Sequence, residues 1–313
     1  MLITLVSVGI AIFIYFVLPE SGSNQGQLSG RIFGLELRLL GAAAVFVIIW
    51  LLSLYIFLRI PLDDAPQPKG GMPNIPQDPP AAPKTKGPVV QNIEGDQDLG
   101  VDLKRGWEEY ISGDVRIALQ IFIDIRRRAK EKGLPGGEAE AALGIGEASA
   151  LLGEHEAARR NYKEARELYK QESNRLGEAN VLRGLGHLES KLGENEAARR
   201  NYKEARELYK QVGDRLGEAN VLRGLGELER TLGEHEAARR NYKEARELYK
   251  QESNRLGEAN VLLGLGDLER KLGENEEARK NYKEARILYR ELDMQEALKY
   301  VDDSLADLEK PGD

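Results

Sequence analysis

The segment "LGEANVLRGLG" starts at Leu176, returns unchanged at Leu216, and returns with one change at Leu256, a spacing of 40 residues. A looser copy begins at about Gly136. A period of this size admits few folds. Each unit is one supersecondary element whose apolar face it cannot bury alone, so neighbouring units must stack into an elongated array. The stretch "EAARRNYKEARELYKQ" occurs three times, from Glu156, Glu196 and Glu236, so half of each unit is nearly invariant.

Within a unit, Val181, Leu182, Leu185, Leu188 and Leu192 recur at three- and four-residue spacing, which predicts a first helix closed by a left-handed Gly193. A second helix turns Ala197, Ala198, Tyr202, Ala205, Leu208 and Tyr209 inward, and Asn174, Asp214 and Asn254 stand where N-caps belong. The first helix carries a costly feature. Gly184 and Gly186 sit in its middle, as do Gly144/Gly146, Gly224/Gly226 and Gly264/Gly266 in the other copies. Each glycine costs a helix interior about 1 kcal/mol against alanine.

The order Leu182, Leu185, Gly186, then Ala198, Tyr202, Ala205 resembles the tetratricopeptide repeat signature. The resemblance implies a fold: an all-α, right-handed α-solenoid of helix pairs, with Gly186 as the small residue under Ala198 and Tyr202. Gly184 lies outside the signature and is expected on the concave side, where its missing side chain leaves room. The 40-residue length is similar to the repeats of G-protein-signalling modulators and kinesin light chains. Glu189, Glu229 and Glu269 depart from the pattern where an aromatic is usual, and Lys210 and Lys250 replace its proline. Five units are expected, at about 98–133, 137–173, 174–213, 214–253 and 254–292. The first keeps Gly106, Ala118 and Phe122 in register, with Trp107 and Tyr110 as end-of-stack packing. A capping helix at 294–309 follows, with Met294, Ala297, Leu298, Val301, Leu305 and Leu308 on one face.

The front of the chain differs. Leu2–Leu18 is uncharged over 17 residues and Leu39–Leu58 over 20, which suits two transmembrane helices within 1–60, joined by a polar loop at about 19–37. The first run lacks the basic start and small-residue cleavage site of a signal peptide. Arg59, Lys69, Lys84 and Lys86 outweigh Arg31 and Arg38, which favours a cytoplasmic repeat domain. Residues 61–97 hold nine of the twelve prolines and read as a disordered tether of polyproline-II character.

Composition narrows function. A net charge of −7, with Lys and Arg interspersed among Glu, lacks the basic stripe of a nucleic-acid binder. There is no cysteine. His155 and His235 share their place with Asn195 and Asn275, so a metal or general base there is not expected. G-x-G without a third glycine or a preceding strand is not a nucleotide loop. The expectation is no enzyme, no metal and no cofactor. Binding is the better reading, because the copies differ mainly on one face of the first helix. Arg183 and Arg223 become Leu263; His187, Glu227 and Asp267 replace one another, as do Ser190, Arg230 and Arg270, and Lys191, Thr231 and Lys271. With Gly184 and the ladder Asn180, Asn220, Asn260, these positions would form the concave face for a protein partner, an extended acidic or C-terminal peptide. The expected function is a membrane-tethered adaptor. The alternative is a self-assembling structural or membrane-complex assembly factor, a homo-oligomer without a dedicated peptide ligand.

Overall fold

The computed structural model describes residues 28–32, 35–39 and 97–309. Strands β1 (Leu28–Ile32) and β2 (Leu35–Leu39) pair antiparallel, with Leu28 opposite Leu39 and Arg31 opposite Glu36. This corrects the all-α expectation for the front of the chain, where a loop was expected. The reason is legible in hindsight: "LELRL" alternates apolar and polar residues, the period of a strand. Only two residues, Phe33 and Gly34, separate the two strands in the sequence. Leu39, counted as the start of the second apolar run, closes β2. The expected membrane segments 2–18 and 40–58, and the proline-rich segment up to residue 96, lie outside the described residues. Among the described residues no helix is long and apolar enough to cross a membrane.

Residues 97–309, which belong to a separate compact body from the strands, form a succession of helices joined by short turns. Its elements are α1 (Gln97–Ser112), α2 (Val115–Lys132), α3 (Pro135–Leu151), α4 (His155–Gln171), α5 (Arg175–Lys191), α6 (Asn195–Val212), α7 (Arg215–Leu232), α8 (His235–Gln251), α9 (Arg255–Leu272), α10 (Asn275–Glu291) and α11 (Gln295–Asp307). Side-chain oxygens of Asn174, Asp214 and Asn254 accept from the backbone N–H of Gly177, Gly217 and Gly257 at 2.9, 3.0 and 2.7 Å, which starts α5, α7 and α9. Gly193 ends its helix at φ +74°. Ser173, Ser253 and Asp293 adopt the same left-handed region, at φ 54–56°, where Gly133 and Gly213 stand in other units.

Each helix packs on its sequence neighbours, and the odd-numbered helices α1, α3, α5, α7 and α9 also touch one another in order. They form the inner layer. The glycine pairs make this spacing possible. A Cβ on Gly186 of α5 would lie 2.8 Å from the Tyr202 ring of α6, and one on Gly224 of α7 would lie 2.9 Å from the same ring. Tyr202 is therefore wedged between its own first helix and the next one. Phe122 (Gly106, Gly144), Tyr162 (Gly146, Gly184) and Tyr242 (Gly226, Gly264) repeat the arrangement. Dense packing of a buried ring offsets the helix-propensity cost.

The signature departures also find partners. Glu189, Glu229 and Glu269 are buried and accept from Asn201, Asn241 and Asn281 Nδ2 at 2.6, 2.6 and 2.5 Å. On the outer surface Arg206 pairs with Glu218 of the next first helix at 3.0 Å and with Glu244 of the next second helix. Arg166 and Arg246 do the same one repeat either way. At the C-terminal end Ala297, Val301 and Leu305 of α11 close the core containing Tyr282 and Tyr289.

Candidate partner-binding groove

The inner layer opens into a pocket of about 300 Å³ between α5 and α7. Among the predicted residues Arg183, His187, Lys191, Asn220, Arg223 and Glu227 line it, and Ser190, Asn195, Tyr202 and Thr231 join them. Lys191 and Thr231 are exposed at its lip, whereas Tyr202 is 3% exposed. The i, i+4 spacing of 183, 187 and 191 on α5 puts all three on one helical face. Tyr202 was legible only as a core residue. Its ring does fill the glycine notch, yet its position on the pocket wall depends on how α6 lies between α5 and α7.

Other predicted residues serve the solenoid itself. The Tyr209, Tyr249 and Tyr289 hydroxyls donate to the Oδ1 atoms of Asn180, Asn220 and Asn260 at 2.6, 2.6 and 2.8 Å. Glu140 takes the equivalent place in the second unit, accepting from Tyr169 at 2.5 Å and from Trp107 Nε1 at 3.2 Å. The amide ladder is thus a row of internal acceptors. Gly184 leaves no room either: a Cβ there would lie 2.8 Å from the Tyr162 ring. Asp267 is buried and accepts from the Tyr282 and Tyr300 hydroxyls at 2.6 and 3.1 Å, with Arg270 3.8 Å away. Arg230 pairs with Glu227 on its own helix.

Positive charge dominates the pocket floor. Arg183 Nη2 lies 3.4 Å from Glu147 Oε1 of α3. Burial opposes the Arg183 charge, but the Glu147 carboxylate together with Tyr209 and Tyr162 outweighs it and raises the guanidinium pKa. The His187 Nε2 is shielded from solvent and has no hydrogen-bond partner. Burial, then Lys191, Arg223 and Arg183, push the His187 imidazole down to about 3, so it is neutral at physiological pH. Two further clefts lie elsewhere. One involves Lys203, Arg206 and Arg240, the other Lys243, Arg246 and Lys280, the same positions one repeat on. They follow from the repeat geometry, whereas the α5–α7 pocket depends on residues that differ between copies. No group of His, Asp or Glu suited to a metal ion occurs among the described residues.

The family model "Tetratricopeptide repeat" matches three overlapping stretches, residues 137–211, 177–251 and 217–291. No curated protein matches the chain. Among solved structures, BtubC (BKLC) from P. vanneervenii is similar over 68% of this chain and 84% of its own, at 17% identity and TM-score 0.54. A STAND signal-transduction ATPase with a tetratricopeptide repeat sensor, from Pyrococcus horikoshii, matches over 69% of this chain at 16% identity and TM-score 0.59. This chain covers only 33% of that protein. The apo form of RapI matches over 65% of this chain and 58% of its own, at 14% identity and TM-score 0.52. At such identities the likeness is one of fold. The helix pairs, the ring-and-glycine packing and the family match agree: residues 137–291 of this chain are tetratricopeptide repeats.

Proposed function

We propose that the chain is a membrane-tethered adaptor that holds an acidic segment of a protein partner against the inner helix layer. Tetratricopeptide repeats are protein–protein interaction scaffolds, and that much follows from the fold. The observation supporting the finer reading is the α5–α7 pocket, where Arg183, Arg223 and Lys191 gather around a single acidic lining residue, Glu227. Electrostatic complementarity of this kind favours an anionic segment. The apolar runs 2–18 and 39–58 support the tether, and the proline-rich segment 61–97 that follows them gives it reach. The self-assembly reading is less well supported, because α11 covers the core face on which a further repeat would stack.

The test is affinity capture from native lysate with the full-length chain beside a Lys191→Glu, Thr231→Glu variant. Both residues are exposed, so the fold should be kept. Loss of a captured protein in the variant supports the groove. Equal capture moves the activity to the outer helices or the N-terminal segments.

A further inference from the structure

The two ends of the helical array are finished differently. On α11, exposed Lys299, Asp302 and Asp303 stand where Ala259, Leu262 and Leu263 are buried in α9, so charge closes the C-terminal end. The N-terminal end keeps an apolar residue in the open. Ala141, Val181, Val221, Val261 and Val301 hold one place in successive first helices, and each is 0% exposed. Val101 is the α1 member of that series and is 68% exposed. The preceding repeat covers the others: Val181 of α5 belongs to the same core as Tyr162 and Tyr169 of α4. No helix precedes α1 among the described residues.

The second helix of this first repeat adds to the same end. Arg126 of α2 donates to Asn161 Oδ1 of α4 at 2.9 Å and pairs with Glu164, so the Asn161 flank of a second helix faces the helix before it. On α2 that flank carries Ile121 and, one turn earlier, Ile117, where α4, α6 and α8 have asparagine and alanine. Ile117 is 48% exposed. A terminal repeat ordinarily turns a polar face outward. Here α2 is more apolar at these places than the interior second helices are. Charge surrounds the apolar residues instead: Asp98, Lys104, Arg105 and Glu108 of α1 are all exposed. An apolar centre within a polar rim is the anatomy of a protein interface.

The rim identifies the partner. Asp98 and Arg105 lie at equal distances, about 5 Å along the helix axis, on either side of the midpoint between residues 101 and 102. A two-fold axis through that midpoint runs two α1 helices antiparallel and lays Val101 against its twin. It also sets Asp98 of each copy against Arg105 of the other. Within its own chain Arg105 is held only loosely, 4.0 Å from Glu109. We infer that the N-terminal end of the array is a homodimer interface, in which a second copy covers Val101 and Ile117 and exchanges two Asp98–Arg105 pairs. The same patch serves both copies, and α11 closes the opposite end, so association stops at two and does not run on into a filament. The inference is independent of the groove and of its ligand.

The chain has no cysteine, so single introduced cysteines report the contact directly. The full-length chain, in detergent, is treated with bis(maleimido)ethane. Val101→Cys should be captured as a cross-linked dimer, whereas Glu167→Cys, exposed on α4, should stay largely monomeric. Light scattering after size exclusion then follows charge variants. Asp98→Arg or Arg105→Asp alone should weaken dimerisation about tenfold, because the two-fold axis applies each reversal twice. The two together restore both pairs with the signs exchanged and should return the affinity to within about twofold of native. All of these sites are exposed, so the fold should be kept, and circular dichroism checks that it is. A monomeric native chain overturns the inference. So does a dimer in which Val101→Cys links no better than Glu167→Cys, since the copies are then joined elsewhere in the chain. Failure of the combined reversal to restore dimerisation overturns it as well.

Discussion

At the residue scale, the glycines show how cost and packing are weighed. Gly184 and Gly100 are both helical, but a Cβ on Gly184 meets the Tyr162 ring at 2.8 Å and one on Gly100 meets nothing within 4 Å. Gly184→Ala should destabilise by about 1–3 kcal/mol from overpacking, less the ~1 kcal/mol that alanine returns in helix propensity. Gly100→Ala should stabilise by up to about 1 kcal/mol. Urea unfolding of the two variants should move in opposite directions; a shared direction would sink the packing account. His187 supplies a second prediction. Its imidazole faces Arg183 and Lys191 on its own helix, Arg223 and Glu227 on α7, and Tyr202 on α6. It titrates at about 3 when folded, against about 6.5 unfolded. Between those values the unfolded chain binds a proton that the folded chain refuses. Stability from this group is therefore complete above pH ~6.5 and is lost as pH falls toward 3, at up to ~1.4 kcal/mol per unit. Buried Glu140 and Asp267, whose pKa values are raised by desolvation, act in the opposite sense. The melting temperature of His187→Gln relative to the native chain isolates the histidine: the variant should lose less stability on acidification.

At the scale of elements, helix starts are set locally and helix spacing is not. Asp214 caps α7 through Gly217 N–H, and the Tyr209 ring lies against that same glycine. Asp214→Ala should cost about 1 kcal/mol, the usual loss of a cap. Asp214→Asn should cost little, because Asn174 and Asn254 do the same work at α5 and α9. Thermal melts of the pair provide the check, and equal losses would assign the cost to something other than the cap. These caps, the closing glycines and the period of the apolar residues were all readable from sequence, because each depends on residues within one turn. The strands at 28–39 were not read. Five-residue segments carry a weak signal, and two strongly apolar runs flank this pair.

At the scale of the whole molecule, a repeat array gains stability from each unit and from each junction. Removing residues 214–253 places Tyr209 against Gly257, Tyr202 against Gly264 and Arg206 beside Glu258. The native chain already makes each of these contact types at its other junctions. The shortened chain should therefore fold, with nine helices in place of eleven among the described residues and a lower melting temperature. Circular dichroism reads both the fold and the melting temperature, and an unfolded product would sink the nearest-neighbour account.

The sequence by itself determined the period, the helix pairs, the caps and the inner positions at which the copies differ, since all of these are local or follow from counting. Only the tertiary structure decided what each of those positions meets. Asn180, Asn220 and Asn260 look like a ladder for a ligand until tyrosines 29 residues further on are seen to donate to them. Gly184 looks like open space until the Tyr162 ring fills it. His187 looks like one more variable polar residue until burial beside Lys191, Arg223 and Arg183 is seen to hold its imidazole neutral. The physical reason is common to all three: a hydrogen bond or a contact between repeats joins residues far apart in the chain. Spacing within one helix can show which residues share a face, but not what the neighbouring helix brings to meet them.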